Sequence, residues 1–352
     1  SCDETAVALV RDGRTVLADC IASSVEMHRI YGGVVPEIAS RKHIEVIAQL
    51  ADQALEQAGL SRGDIDAAAG TYAPGLIGAV LVGVSFAKSV AYALGVPLIP
   101  VHHVRGHIAA NYLAHPDLEP PFVCLCVSGG TSLLVDVKGY TEMEILGATR
   151  DDAAGECFDK IARVMGLGYP GGAPLDRAAQ GGNDKAFSLP RVHIQDAPLD
   201  MSFSGLKTAM LNLIHNAQQK GEELPVADLA ASFSAAVSEE LVPRTMAAAQ
   251  AKGYGKVAVV GGVAANSRIR RDLEQACQAA GCTLYLPPLK LCGDNGSMIG
   301  SQGYYEYLAG TRAGTDLNAY ANREISRPYG TGTAPVFPSP VEKSVESVHN
   351  SL

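Results

Sequence analysis

Short apolar runs alternate with longer amphipathic stretches along most of the chain. Residues 6–10 and 16–21 are apolar, strand-length and separated by Asp12-Gly13, which predicts a β-hairpin. Residues 44–60 place Val46, Ile47, Leu50, Ala54 and Leu55 on one helical face. Residues 79–93 predict a second helix, rich in small side chains and therefore closely packed. Residues 96–100 are apolar and short, and Pro97 and Pro100 confine such a strand to its ends or to an edge. Ile108, Ala109 and Ala110 suit a helix after it. Residues 122–127 and 133–137 predict strands around the turn Ser128-Gly129-Gly130-Thr131, and residues 151–166 and 226–252 predict helices. Residues 256–260 form a strand pattern ending in Gly261-Gly262-Val263-Ala264-Ala265-Asn266, which opens a further helix. Residues 283–286 predict a short strand. After about Arg327 the chain is rich in Pro, Gly, Ser and Glu, which predicts a disordered tail for 327–352. The polar turn Ser1-Cys2-Asp3-Glu4-Thr5 runs straight into the hairpin, a pattern expected to follow an earlier strand.

The pattern is α/β, with hairpins near the start and near the middle. It suggests two hairpin-led halves facing a cleft. The 352 residues, 47% of them hydrophobic, suffice for a large core in two lobes. A net charge of -9 argues against bulk electrostatic binding of nucleic acid, while leaving room for a local basic patch or a basic partner. The eight cysteines include no CxxC pair, and Cys124 and Cys126 lie in an apolar run as small hydrophobes. This usage fits a reducing, cytoplasmic compartment. No run of about 18 uninterrupted apolar residues occurs, so no membrane span is expected.

Candidate chemistry begins at His103 and His107. Four residues apart on a helix, two imidazoles stack on one face within reach of one metal ion. A carboxylate such as Asp294 would complete a set that leaves positions open for a substrate oxygen. The same spacing also arises among ordinary polar residues at a helix start. Ser128-Gly129-Gly130-Thr131, Tyr169-Pro170-Gly171-Gly172 and Gly261-Gly262 are glycine turns, two of them at strand ends. Such turns let backbone N–H groups approach phosphate oxygens, or they are simply tight turns. None matches a Walker A motif or GxGxxG.

From Ser1 to about Arg327 the chain resembles the bacterial tRNA threonylcarbamoyltransferase family, formerly described as O-sialoglycoprotein endopeptidases. The resemblance rests on Ser1-Cys2-Asp3-Glu4-Thr5, Tyr31 to Glu37 with Ser40, Arg41 and His43, Pro74 to Gly78, Asp151 to Lys160, Tyr169 to Gly172, Ser202 to Thr208, Gly261 to Asn266, and Asp294-Asn295-Gly296. It implies the actin-like, sugar-kinase-type fold: two-lobed, duplicated, with a central cleft. Lobe I would comprise 1–121 and about 295–326, and lobe II 122–294.

The resemblance also implies a reaction. The threonylcarbamoyl group passes from threonylcarbamoyl-AMP to the exocyclic amine of the adenosine beside the anticodon in tRNAs that read ANN codons. It implies His103, His107 and Asp294 as ligands of one metal ion, iron or zinc. Cys126, Val127, Ser128, Gly129 and Gly130 would carry the adenylate, with Asp159, Gly172, Asp176 and Asn266 around the nucleoside. Asp3 and Glu4 would face the cleft, where a carboxylate assists proton removal from the amine. A turn cap is the alternative role for Asp3. The implied partners are tRNA, a small paralogous subunit and an ATPase subunit.

Two positions depart from the family pattern. Arg105 stands where the family has Glu between the histidines, and Thr131 where it has His after Ser-Gly-Gly. An inward Arg105 would repel a cation, but on a helix it is offset by about 200° from residues 103 and 107. Three rival readings stand beside the transferase: a non-catalytic scaffolding paralogue of the same fold, a metalloprotease, after the family's former description, and a small-molecule kinase or carbamoyltransferase of the same fold. Against the protease, Val104 occupies the place where zincins carry Glu.

Overall fold

The computed structural model describes residues 1–191, 194–327 and 329. The expected tail at 327–352 therefore lies outside the described residues, apart from Arg327 and Tyr329. The chain divides into two compact units. Unit 1 comprises Ser1–His28, Val34–Pro116 and the residues from Asp294 onward, and unit 2 comprises Arg29–Gly33 and Asp117–Gly293. The boundaries expected near 121 and 294 thus fall slightly earlier. Asp294 belongs to unit 1, where its carboxylate faces Ser1, His103 and His107.

In unit 1, β1 (Glu4–Arg11) and β2 (Thr15–Ser23) pair antiparallel as the expected hairpin. Asp12 and Gly13 both take positive φ, at 54° and 67°, which supplies the tight turn. After α1 (Val25–Arg29) comes α2 (Pro36–Ala58), eight residues longer at its start than the apolar pattern indicates. The prolyl ring of Pro36 pre-sets the first helical φ, and Ala39 and His43 extend the buried face. β3 (Ala68–Ala73), α3 (Ile77–Leu94) and β4 (Leu98–His102) form a parallel β-α-β unit. Pro100 sits opposite Gly70 on β4, which has no other strand beside it in its two-stranded sheet.

α3 bears on the membrane expectation without overturning it. With 18 residues and a mean hydropathy of 1.7, it is long and apolar enough by composition to cross a membrane. Glycine, serine and Lys88 interrupt its apolar run, so a search for an unbroken one misses it. Within unit 1 it packs Val80, Val84, Ala87 and Ala91 against β3, and Lys88 donates to the carbonyls of Thr315 and Leu317. α4 (His103–Ala114) follows β4 without a break.

Unit 2 opens with the antiparallel meander β5 (Phe122–Val127), β6 (Ser132–Val137) and β7 (Met143–Ala148). The helices α5 (Ala154–Val164), α6 (Gly172–Ala178), α7 (Ser204–Lys220) and α8 (Val226–Lys252) come next. β8 (Lys256–Val260), α9 (Ser267–Ala280) and β9 (Thr283–Tyr285) complete the unit. The sheet order is β7-β6-β5-β8-β9, with β5, β8 and β9 parallel. All six residues of β5 are buried, as expected of a strand covered on both faces. Phe158 of α5 and Phe233 of α8 meet edge to face at 5.3 Å in this core. Burying each such side chain contributes roughly 1.5–3 kcal/mol.

The chain then returns to unit 1 as α10 (Gly296–Leu308), which packs on α4 and β1. β1 and β3 are not paired with one another. They line a cavity of about 1160 Å³ shared with α2, α3 and α10, which Ser1, His103 and Asp294 also border.

Candidate metal centre and nucleotide loops

His103 and His107 occupy successive turns of α4. Their rings meet edge to face with centroids 4.6 Å apart. His102 caps the helix, its Nδ1 accepting from the N–H of Val104, so the histidine pair starts at a defined helical position. Gly106 lies between them and lets α10 come close: a Cβ there would stand 2.6 Å from Cδ1 of Ile299. This approach brings the start of α10 to the histidines. Asn295 caps α10 through Met298 N–H, and Asp294 precedes it. Oδ1 of Asp294 lies 3.5 Å from Nε2 of His103 and 3.1 Å from Nε2 of His107. Its Oδ2 accepts from the Ser1 hydroxyl at 3.1 Å.

The three side chains offer ligand atoms all within 4.8 Å of one another. Both ring nitrogens of the buried His107 lack a well-formed hydrogen bond. Burial pushes His103 down to about 3, against the pull of Asp294, so its imidazole is neutral at physiological pH. Burial would raise the Asp294 carboxyl, but the two histidines outweigh it and hold the group below the usual range. Two imidazoles and a carboxylate are a donor set suited to iron or zinc. The residues fit such an ion, and Ser1 would orient the carboxylate.

Arg105 points away from this centre. It is buried in an ion pair with Glu306 at 2.7 Å, and Nε and Nη2 donate to the carbonyl of Ile325. Glu306 also accepts from Gln302 and Thr311. The departure from the family pattern is thus a brace between α4 and α10, not a charge at the metal site.

Asp3 and Glu4 lie at the start of β1. The carbonyl of Asp3 accepts from the N–H and hydroxyl of Ser24. Glu4 accepts from Ser23 through Oε1, while its buried Oε2 has no hydrogen-bond partner among the described residues. Burial raises the Glu4 carboxyl above its ordinary value. Burial, with Asp3 and Asp294 nearby, pushes the Cys2 thiol up to about 12, which disqualifies it as a nucleophile.

In unit 2 the predicted loops gather at the carboxyl ends of β5 and β8, the usual place for a ligand in an α/β sheet. Ser128 N–H bonds back to the carbonyl of Thr131, closing the turn. At Gly155, in the first turn of α5, a Cβ would lie 2.5 Å from the Ser128 carbonyl oxygen. At Gly261, with φ 94°, it would lie 2.2 Å from that of Val127. The three segments are thus in backbone contact. By contrast, a Cβ at Gly129, Gly130, Gly172 or Gly262 would meet nothing within 4 Å. Their smallness serves no packing need and leaves an open cradle. The side chains of Cys126 and Val127 lie in the core, so these two present only backbone. Asp159 accepts from Gly171 N–H at 2.7 Å, Asp176 from the N–H and hydroxyl of Ser267, and Asn266 from Ile269 N–H. Asp159 thus ties the Gly171 loop to α5 and Asp176 ties α6 to the start of α9, whereas Asn266 caps α9.

The site residues expected from sequence do not include His28, Ser24 or His43, although His43 belongs to a motif that carries the family resemblance.

The TsaD family profile, described as tRNA N6-adenosine threonylcarbamoyltransferase, matches residues 15–301. A curated protein of that name from Moorella thermoacetica is 54% identical over 319 residues, covering 91% of this chain and 93% of the relative. One from Clostridium botulinum strain 657 is 51% identical over 325 residues, covering 92% and 96%. Among solved structures, HypF from T. kodakarensis superposes with a TM-score of 0.59 at 17% identity, over 88% of this chain. Full-length HypF in its phosphate- and nucleotide-bound form gives 0.56 at 15% identity, over 87%. The chain spans about half the length of either HypF, covering 48% and 47%. At this identity the likeness establishes the fold alone, and that fold is the expected actin-like one. The sequence match reaches further than fold, and with it the scaffold, protease and kinase readings give way: the chain belongs to the tRNA N6-adenosine threonylcarbamoyltransferase family, acyltransferases that modify tRNA.

Proposed function

We propose that the donor is threonylcarbamoyl-AMP and the acceptor the exocyclic amine of the adenosine beside the anticodon in tRNAs reading ANN codons. The amine nitrogen attacks the carbamoyl carbon, the carbon–oxygen bond to phosphate breaks, and AMP departs with the bonding electrons. The observation that carries this reading is the open glycine cradle at the carboxyl ends of β5 and β8, beside the N-terminus of α5. An adenylate phosphate is favoured there by the helix N-terminus and by close backbone approach. Asp159, Asp176 and Asn266 have acceptor capacity for ribose hydroxyls and are the residues we assign to the nucleoside. His103, His107 and Asp294 would hold one iron or zinc ion, which when bound supplies Lewis-acid polarisation of a carbonyl or phosphoryl oxygen. Glu4, with a raised carboxyl and an unbonded oxygen, or the adjacent Asp3, accepts the proton from the amine.

The net charge of -9 supports a reading in which partners supply part of the tRNA surface, and we propose for them a small paralogous subunit and an ATPase subunit acting together in the cytoplasm. The test is reconstitution with synthase, partner subunits and tRNA, followed by nucleoside analysis. Threonylcarbamoyladenosine should form with the wild type and fall at least about tenfold with Asp3→Asn or Glu4→Gln. A wild type that forms none under conditions where a related enzyme succeeds would overturn the reading.

A further inference from the structure

Two buried histidines outside the metal centre hold the short loop that carries Asp3 and Glu4. His43 on α2 and His28 on α1 are 4% and 0% exposed. Nε2 of His43 lies 2.9 Å from the carbonyl oxygen of Cys2. A carbonyl only accepts, so that nitrogen carries the proton. Burial lowers the imidazole's affinity for a second proton, so the ring is neutral and Nδ1 is the acceptor. The hydroxyl of Thr5 donates to it. One imidazole therefore clamps both ends of Cys2-Asp3-Glu4-Thr5.

His28 holds the middle. Its Nδ1 accepts from the backbone N–H of Val35 at 3.2 Å, and Nε2 lies 3.1 Å from the hydroxyl of Ser24. That hydroxyl donates to the carbonyl of Asp3 at 2.7 Å. His28, Ser24 and Asp3 thus form a directed chain of hydrogen bonds. One residue upstream of the clamped loop, Ser1 donates to Asp294 and its carbonyl accepts from Leu76 N–H.

We propose that His43 and His28 are positioning residues for the transfer reaction. Through Cys2, Thr5 and Ser24 they hold the Asp3–Glu4 carboxylates where proton removal requires them. The inference rests on the assignment of those carboxylates to proton transfer. Neither histidine touches substrate. Each acts through the main chain of the loop, and a displacement of about 1 Å there suffices to lower turnover by on the order of 100-fold.

The experiment is steady-state kinetics of the reconstituted enzyme with His43→Leu, His43→Gln and Thr5→Val. Leucine keeps the volume and removes both bonds, so kcat should fall about 10–100-fold with KM for tRNA and adenylate changed by less than about twofold. Glutamine returns a donor to the carbonyl of Cys2 and should recover most of the loss. Thr5→Val removes one bond without altering the packing of α2, and carries the same expectation if the leucine variant fails to fold. Combined with Asp3→Asn and Glu4→Gln, His43→Leu should cost little more, because groups acting as one unit are not additive. An unchanged kcat, a rise in KM matching the fall in kcat, or a fully additive loss would overturn the proposal. Undiminished activity in Asp3→Asn and Glu4→Gln would instead overturn the assignment of the carboxylates.

Discussion

Restoring the family's glutamate through Arg105→Glu should damage the protein, not improve its metal site. Arg105 is buried against Glu306 at 2.7 Å, and its guanidinium also satisfies the carbonyl of Ile325. At an effective dielectric constant of about 20, the Coulomb energy of the pair at that distance is about 6 kcal/mol, much of it offset by desolvation. Removing one partner of a buried pair costs about 3–5 kcal/mol, and a second carboxylate facing Glu306 adds repulsion. For a unit of this size each kcal/mol lowers the melting temperature by about 2–4 °C, so a drop on the order of 10 °C is expected. Arg105→Met with Glu306→Gln removes both charges and should recover most of it, since the amide oxygen introduced in place of Glu306 can still accept from Thr311. Scanning calorimetry with parallel elemental analysis is the assay. A single variant that melts like the wild type, or that binds metal more tightly, would refute the direction assigned to Arg105.

His103→Ala, His107→Ala and Asp294→Ala should each abolish stoichiometric binding of iron or zinc, read by elemental analysis after dialysis; full metal in all three would dispose of the triad. Gly129→Ala should alter stability by no more than about 0.5 kcal/mol while weakening AMP binding, because its Cβ enters open space. Gly155→Ala, whose Cβ would collide with the Ser128 carbonyl, should cost about 1–3 kcal/mol, and equal melting of the two variants would contradict the cradle geometry. Burial pushes His102 down from 6.5 to about 4, so it favours the native state above pH 6.5 and this contribution is lost as pH falls through that window. Melting temperature should drop between about pH 6.5 and 4, less steeply for His102→Asn, which can still cap α4; identical profiles would count against the burial argument.

Much of the fold was legible because periodicity is local. The Asp12-Gly13 turn and its flanking strands formed as expected, and α8 spans the predicted 226–252. α1, β3, β7, α6, α7 and α10 were not anticipated. β7 is half exposed and α6 is short. α10 buries Ser297, Ser301, Gln302 and Glu306, whose polarity hides its inner face from any apolar pattern. Apart from His103 and His107, whose spacing places them together, the candidate site residues came from motifs shared with a family, and no spacing shows their proximity. His43 stood within a family motif but, like His28, carried no assigned role, because a buried histidine declares itself only when its partners are in place.

By itself the sequence determined the alternation of strands and helices, the glycine turns, the histidine pair and the family. These depend on side-chain period and backbone freedom, which residues carry wherever they stand. Tertiary packing decided what they do together. The close approach of α10 to α4 at Gly106 brings Asp294 to histidines that stand far earlier in the chain. The same packing turns Arg105 toward Glu306, because a buried guanidinium must find a carboxylate and carbonyls, and these exist only on the face where α10 and residue 325 come to rest.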